Sequence, residues 1–277
     1  EPAATYVPAF GSNGKDVVTV EQLLTHTGGF PTAPMRPDEG VDPAARDARL
    51  SSWRLDFEPG TRFEYHPTAG HWVLAAIVEA VTGSDIRAAV TDRICAPHGL
   101  DDLRLGVAPE DQEGIATLAL TGAPPTPEEM EDAIGLRIDL ADYLGEVTPD
   151  ALLGFNDPAV RAAGIPGAGA IGAAADLALF YQAFLHDPLD QWGEARVRWA
   201  SEVRCDLPDP MTGTPAHRSL GLQVAGEPPD AQRRAFGYGL SPRTFGHDGS
   251  GGQVAWCDPD SGLSFVYFTN GLDRHLI

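Results

Sequence analysis

The fold of this chain is best worked out from the stretch Glu58-Pro59-Gly60-Thr61-Arg62-Phe63-Glu64-Tyr65. Its Pro-Gly pair is a turn signal, and apolar residues with helical spacing follow from about His71 to Thr82. Tyr65 is therefore predicted to lie close to the start of a helix, where a tyrosine can act as a general acid or base. On this stretch alone, a core or turn tyrosine is the competing interpretation, because an unusual environment marks a functional residue only statistically.

Two further segments change that balance. Upstream lies Thr19-Val20-Glu21-Gln22-Leu23-Leu24-Thr25-His26-Thr27-Gly28-Gly29, and near the C-terminal end lies Phe245-Gly246-His247-Asp248-Gly249-Ser250-Gly251-Gly252. In this order, the three segments resemble the serine β-lactamase and penicillin-binding-protein superfamily. The most similar branch is the class C-like one, with its family VIII-type carboxylesterases, transesterases and D,D-peptidases. The resemblance runs from about Tyr6 to Asn270 and is carried mainly by the LLTHTGG and PGTRFEY segments.

The resemblance implies an α+β fold in which a helical subdomain packs against an antiparallel sheet. We therefore expect one β-lactamase-related domain over residues 1–277. Helices are expected over about residues 19–204, and the C-terminal strands over about residues 218–270. The domain is expected to be incomplete at its N-terminal side, for the reason given below for the nucleophile.

Local patterns predict several of the elements. Thr19 and Gln22 form a capping box, which predicts a short helix from Val20. Residues 1–18 are interpreted as a connector and residues 30–50 as a surface excursion, because both are rich in helix-breaking or charged residues. The remaining predictions are helices over Asp176–Leu185 and residues 190–204, and a hairpin of Gly252–Cys257 with Leu263–Asn270.

Composition excludes several classes of function. The net charge is −21, from 40 acidic and 19 basic residues, whereas nucleic acids and anionic membranes need a basic face. We expect neither as a partner, and no apolar run approaches the roughly 18–20 residues of a membrane span. Cys95, Cys205 and Cys257 fit neither a disulfide framework nor a zinc site, which favours a reducing cytoplasm. The chain opens at Glu1 without methionine, so its natural N-terminus is expected further upstream.

The nucleophile is the missing part of the resemblance. In this superfamily, a serine in a Ser-x-x-Lys motif at a helix N-terminus is acylated, and the spacing places the lysine amine beside the hydroxyl. Here only Ser12-Asn13-Gly14-Lys15 matches, since Lys15 is the only lysine. That segment is broken by glycine and lies too close to LLTHTGG, so we predict that it is not catalytic. The true motif is expected to precede Glu1 or to lie on a separate segment or chain, unless the protein has lost its nucleophile.

Tyr65 corresponds to the tyrosine of the superfamily's second motif, Tyr-x-Asn. The resemblance implies that Tyr65 is catalytic and passes the serine proton to the leaving group, as a phenolate or as a phenol paired with the lysine. Pro67 stands where the motif has asparagine, which contacts the amide of β-lactam or peptide substrates. Because proline has no side-chain donor, esters are expected to be better substrates than β-lactams.

His247, Asp248 and Gly249 correspond to the third motif, Lys-Thr-Gly, on a strand at the edge of the site. The resemblance implies that His247 faces the acyl side of the substrate and that Gly249 lets the substrate approach the strand. The backbone N–H of Ser250 would form half of the oxyanion hole. Histidine is largely neutral at pH 7 and offers a weaker positive charge than lysine. A structural histidine at a strand end is the alternative interpretation of His247.

These features imply a serine hydrolase that hydrolyses or transfers the acyl groups of small carboxylic esters through an acyl-enzyme. No metal and no cofactor are expected, and the partner would be a small-molecule ester or amide substrate. The alternatives are a D,D-peptidase or weak β-lactamase, and a non-catalytic pseudoenzyme or binding protein on the same fold. His26 is expected to make local hydrogen bonds and to shape the floor of the site rather than to react.

Overall fold

The structure is a computed structural model that describes residues 1–134, 137, 148–210 and 212–275. The α-helices within these ranges are α1 (Val20–Leu24), α2 (Pro37–Val41), α3 (Pro43–Ser52), α4 (Ala69–Thr82), α5 (Ile86–Val90), α6 (Ala96–His98), α7 (Pro127–Ile134), α8 (Pro149–Leu153), α9 (Pro158–Ala163), α10 (Ala174–His186) and α11 (Glu194–Ser201). The strands are β1 (Arg104–Leu105), β2 (Ala119–Thr121), β3 (Ala170–Ile171), β4 (Gln223–Val224), β5 (Phe245–Gly249), β6 (Gln253–Asp258), β7 (Leu263–Tyr267) and β8 (Gly271–Asp273). The predicted α+β class is confirmed.

The helical part is organised around α4. This helix covers the apolar pattern predicted from about His71 to Thr82 and ends at Gly83, which takes the left-handed conformation (φ 70°) that suits glycine at a helix end. Trp72 and Val73 on α4 are almost completely buried. They belong to one cluster with apolar residues from the N-terminal segment, from α1 and from the region around α3, including Phe10, Leu23, Phe30, Leu50 and Trp53.

Two sequence predictions in this part are wrong. Residues 1–18 are more than a connector: they contain 3-10 helix at Ala3–Thr5 and within Pro8–Val17, where Ser12, Asn13 and Gly14 interrupt it with non-helical backbone angles, and Phe10 is fully buried. Residues 30–50 are not a surface excursion, because they contain α2 and most of α3 and bury Leu50 completely. The proline and charged residues that suggested loops act at helix starts, where proline fits the first turn and Asp42 caps α3.

The principal sheet has the strand order β4-β5-β6-β7 and is antiparallel throughout. β6, β7 and the turn between them form the predicted C-terminal hairpin, with slightly different bounds. In the ladder between β5 and β6, His247 pairs with Ala255 and Gly249 with Gln253. The helix α10 packs on this sheet and buries Tyr181 against Phe245 and Cys257 in a second core. That packing fixes β5, which carries the third predicted motif.

Smaller contacts complete the molecule. β1 pairs with β3 in antiparallel fashion, and β2 pairs with β8 in parallel fashion. A third cluster of Phe63, Cys205 and Ala216, with Tyr65 and Leu207 packed against it, joins the segment before α4 to the segment between α11 and β4. Cys95, Cys205 and Cys257 are all free and buried, as expected for thiols without a disulfide framework.

Candidate active site

The capping box predicted at the start of α1 is present. The Gln22 backbone N–H donates to Thr19 Oγ1 at 3.2 Å, and the Thr19 backbone N–H donates to Gln22 Oε1 at 2.9 Å. Such reciprocal bonds satisfy two backbone donors that a helix start leaves unpaired. They fix the beginning of α1 and, through this short helix, the position of His26 just beyond its end.

The segment that carries Tyr65 is tied to the segment that carries His26. The Gly60 N–H donates to the Thr27 carbonyl at 2.8 Å, and the Glu64 N–H donates to the His26 carbonyl at 3.1 Å. The turn at Gly60 needs a positive φ of 84°, which glycine adopts without strain. The first two motifs of the sequence are therefore neighbours in space, and these main-chain bonds help to hold them together.

His26 is buried against Tyr65. Its backbone has a φ of 56°, unusual for a residue with a side chain, and its side chain is only 3 % exposed. The ring centroids of His26 and Tyr65 are 4.6 Å apart, and His26 Nδ1 accepts a bond from the His66 N–H at 3.3 Å. The predicted role in local hydrogen bonding agrees with this geometry.

His66 is hydrogen-bonded to backbone groups through both ring nitrogens rather than directed into a cleft. Its Nε2 accepts from the Phe30 N–H at 3.1 Å, and its Nδ1 lies 2.5 Å from the Glu64 carbonyl. Since Nε2 must be an acceptor, the proton of the neutral ring is on Nδ1, which donates to Glu64. Burial lowers the pKa of His66 to about 4, so the ring is neutral at pH 7.

Tyr65 and His247, which the sequence assigned to different motifs, are brought together. Their ring centroids are 5.6 Å apart, with an interplanar angle of 33°. Arg218 completes the group: its Cζ lies 5.3 Å from the centroid of Tyr65 and 5.4 Å from that of Phe63. The rings of Phe63 and Tyr65 therefore both face the same guanidinium.

Hydrogen bonds define the state of His247. Arg218 Nη1 lies 2.7 Å from His247 Nε2, and arginine can only donate, so Nε2 is the acceptor. The proton is therefore on Nδ1, which donates to the Asp248 carbonyl at 2.5 Å. Burial and, after it, the charge of Arg218 lower the pKa of His247. A neutral imidazole faces the site at pH 7.

Tyr65 is a phenol in this chain at neutral pH. Burial raises the pKa of its hydroxyl, the charge of Arg218 opposes that rise, and the charge of Asp248 adds to it. A phenol can donate a proton, but it can accept one only after deprotonation. A second cation close to the hydroxyl would favour the phenolate.

Gly249 and Ser250 lie at the end of β5. Gly249 is the last residue of the strand, and Ser250 is exposed in the turn that follows it. A Cβ at Gly249 would lie 2.9 Å from the Cβ of Gln253, its partner across the ladder. Contact with Gln253 is thus one physical reason for glycine here, in addition to the substrate approach that the sequence suggested.

Arg218 is a residue of the site that no sequence motif indicates. Only 6 % of its surface is exposed, and it supplies a fixed positive charge beside His247, where the change from lysine to histidine had suggested that one was lost. No spacing in the sequence connects position 218 with position 247. The only available signal was a charged residue just before the apolar stretch that becomes β4.

The Ser12-Lys15 pair does not have the geometry of a nucleophile motif. Ser12, Asn13 and Gly14 have non-helical backbone angles, so serine and lysine do not share a helix face. Lys15 is fully buried, and its Nζ donates to the backbone carbonyls of Ser12 and Trp53, each at 2.5 Å. Lys15 therefore anchors the chain at this point, which supports the prediction that Ser12 is not catalytic.

Among the described residues, no group of three or more histidines, cysteines and acids is arranged to hold a metal ion. Within the same ranges, no helix is long and apolar enough to cross a bilayer.

The family of this chain follows from its similarity to known proteins. The sequence profile described as Beta-lactamase matches residues 1–275. The chain belongs to the Beta-lactamase family. Among solved structures, this Beta-lactamase-family chain is similar to a penicillin-binding-protein homologue from Caulobacter crescentus, with 28 % identity and a TM-score of 0.74 over all of this chain and 71 % of that one. It is also similar to EstA from Arthrobacter nitroguajacolicus Rue61a, with 25 % identity and a TM-score of 0.78 over 99 % and 72 % of the two chains.

Curated relatives of this Beta-lactamase-family chain include hydrolases of more than one kind. It is 27 % identical to the esterase/beta-lactamase LipL of Mycobacterium tuberculosis, over 100 % of this chain and 64 % of LipL. It is 26 % identical to a putative D-alanyl-D-alanine carboxypeptidase of Escherichia coli, over 96 % and 61 % of the two chains. The chain thus spans less than two thirds of the length of these relatives.

Proposed function

We propose that this chain supplies the acid–base and oxyanion part of a serine hydrolase that acts on small carboxylic esters. The observation that carries the proposal is the grouping of Tyr65 with His247 and Arg218 in a member of the Beta-lactamase family. The nucleophilic serine and its lysine would come from a Ser-x-x-Lys segment outside residues 1–277. Relatives named as esterases support an ester substrate.

The proposed reaction begins when the serine oxygen attacks the ester carbonyl. Once the lysine of the Ser-x-x-Lys segment has taken the proton of Tyr65, the phenolate oxygen accepts the serine proton and passes it to the departing alkoxide, which leaves as an alcohol. The backbone N–H of Ser250 would donate to the carbonyl oxygen as negative charge develops on it. Water then attacks the acyl-enzyme, releases the carboxylic acid and restores the serine, while an alcohol in place of water would give acyl transfer.

Two features favour esters over β-lactams and peptides. Pro67 offers no side-chain donor to a substrate amide. His247 is neutral, and its Nε2 is already occupied by Arg218. A substrate that depends on a side-chain amide at position 67, or on a charged group of residue 247 itself, would lose binding energy here, because the nearby charge of Arg218 is directed at His247. A neutral ester would not lose that energy.

Covalent labelling tests this proposal. The 277-residue chain and the complete product of its gene would each be treated with a fluorophosphonate, which labels activated serines, and turnover of p-nitrophenyl butyrate would be measured in parallel. We expect turnover and labelling only in the protein that contains the additional Ser-x-x-Lys segment, with the label on that serine.

A label on Ser12 would contradict this account, because it would place the nucleophile within the chain. Absence of both turnover and labelling from the complete product would favour the non-catalytic interpretation. Labelling by a fluorescent penicillin, without ester turnover, would instead favour the D,D-peptidase or β-lactamase alternative.

A further inference from the structure

Arg218 is the only described residue that contacts both Tyr65 and His247 through a charged group. Its guanidinium lies against the rings of Phe63 and Tyr65, at 5.4 and 5.3 Å from their centroids. A cation on an aromatic ring is attracted to the negative face of the ring, more strongly when both are withdrawn from water. The side chain is therefore held on two sides by rings and at one end by His247.

The backbone of Arg218 is fixed as well. Its N–H donates to the Cys205 carbonyl at 2.9 Å, and its carbonyl accepts from the Cys205 N–H at 3.0 Å. A second antiparallel bridge joins Arg218 to Gln223, the first residue of β4. Because β4 pairs with β5, the strand that carries His247 and the backbone of Arg218 belong to one hydrogen-bonded frame.

The contact between Arg218 and His247 has a chemical consequence. An imidazole can place its single proton on either nitrogen, and the partners of the two nitrogens decide which. Here Arg218 offers a donor to Nε2 and the Asp248 carbonyl offers an acceptor to Nδ1. Both contacts select the same tautomer, and the charge of Arg218 disfavours the doubly protonated ring.

The contact with Tyr65 acts on a different group. A fixed positive charge about 5 Å from the ring stabilises negative charge on the phenol oxygen relative to the neutral form. The other titratable groups near this position include His26 and His247, which are neutral, and the thiol of Cys205, whose pKa is raised by burial. The charge of Asp248 acts on Tyr65 in the opposite direction, and that of Asp209 acts on Arg218. Arg218 is the cation that these described neighbours provide.

We propose that Arg218 is a positioning residue for the active site: it fixes His247 in its Nδ1–H tautomer and stabilises the phenolate of Tyr65. This inference rests on the proposed function, in which Tyr65 carries a proton between the serine and the leaving group. Arg218 and His247 together then do what a single charged side chain on β5 would otherwise do. Arg218 supplies the positive charge, and His247 presents a neutral ring to the substrate.

The titration of Tyr65 tests the electrostatic part of the proposal on the 277-residue chain, without any catalysis. Tyrosinate absorbance would be followed against pH, and the Tyr65→Phe variant would identify the signal of Tyr65. We expect Arg218→Gln to raise the pKa of Tyr65 by about one unit or more and Arg218→Lys to restore part of that shift. Arg62→Gln is the matched control, because it removes the same charge from a residue that stacks on Phe57 instead, and it should leave Tyr65 unchanged.

Nitrogen NMR of the histidine rings tests the tautomer and needs no variant of Arg218. In the unaltered chain at neutral pH, the signal of His247, identified with His247→Gln, should be that of the Nδ1–H form. An Nε2–H form, or an imidazolium at neutral pH, would overturn the proposal even if Arg218→Gln does not fold. An unchanged pKa of Tyr65 in a folded Arg218→Gln protein would also overturn the proposal.

The outcome is separable from that of the proposed function. If Tyr65→Phe retains full ester turnover, the proposed catalytic role of Tyr65 fails, but the titration and the tautomer can still be as described. If turnover depends on Tyr65 and yet neither measurement responds as expected, only the role given to Arg218 fails.

Discussion

At the scale of single residues, the site is marked by histidines that remain neutral. Ring contacts lead from His71 to His26, from His26 to Tyr65, and from Tyr65 to His247, and His66 also contacts His26. Burial is the largest cause that lowers the pKa of each of these histidines. Protonation of these rings is therefore less favourable in the folded protein than in the unfolded chain. The folded protein should lose stability in acid for that reason.

We predict that the free energy of unfolding falls as the pH drops from about 6.5 to about 4. The pKa of His66 and that of His71 are each lowered from 6.5 to about 4, so the unfolded chain binds more protons than the folded chain within this window. The folded state has its full stability with respect to these two rings above pH 6.5. As the pH falls from 6.5 towards 4, the free energy of unfolding decreases by up to about 3 kcal/mol for each ring. Urea unfolding at a series of pH values measures it.

Carboxylates also titrate in this window, so the comparison must be between variants. His66→Gln and His71→Gln should each give a shallower dependence of unfolding free energy on pH. His186→Gln, at an exposed position on the last turn of α10, should keep the original dependence. Equal slopes in all three variants would show that the buried rings are not responsible.

The residues of the site differ in how far the sequence could predict them. Tyr65 and His247 lie in segments whose composition and order are informative, and the structure places their rings in contact. Arg218 could not be predicted, because its role depends on two contacts, with His247 and with the ring of Tyr65, that only the folded chain creates. The tautomer of His247 depends on the same contacts.

At the scale of elements, local signals were reliable where they had a direct physical cause. The capping box at Thr19 started a helix at Val20 as predicted, and the apolar pattern along α4 and α10 gave both helices nearly their full length. Residues 30–50 misled because proline and aspartate mark loops and helix starts alike. What decides between the two is the burial of Leu50 and neighbouring residues in the core, which is a tertiary property.

The capping box makes a testable contribution to the stability of α1, the short helix that precedes His26. Thr19→Ala should lower the free energy of unfolding by about 1 kcal/mol, because it leaves a backbone donor of α1 without its partner. Thr68→Ala is the matched control: Thr68 occupies the N-cap position of the longer helix α4 but makes no side-chain capping bond. It should change stability by less than about 0.5 kcal/mol.

Equal losses in the two variants would mean that the hydrogen bonds of Thr19 are not what stabilises the start of α1. Denaturant unfolding of both proteins under one buffer condition is sufficient for this comparison.

At the scale of the whole molecule, the site lies where separately packed parts meet. His26 follows α1 and Tyr65 precedes α4, whereas His247 lies on β5 of the sheet that α10 covers, and Arg218 is bridged to β4 of that sheet. Neither core alone contains the group, so the geometry of the site depends on how the helical part and the sheet pack together. The small cluster of Phe63, Cys205 and Ala216 beneath Tyr65 is the local part of that packing.

The central claim is that Tyr65 transfers the proton during ester hydrolysis, and ester turnover by Tyr65→Phe tests it most directly, in the protein that carries the Ser-x-x-Lys segment. The control is Tyr238→Phe, which loses a hydroxyl at a position that is 82 % exposed. Removal of a positioned general acid–base group costs roughly 100-fold or more in rate. The account predicts that kcat for p-nitrophenyl butyrate falls by at least about 100-fold in Tyr65→Phe and stays unchanged in Tyr238→Phe. Undiminished turnover by a folded Tyr65→Phe protein would contradict it.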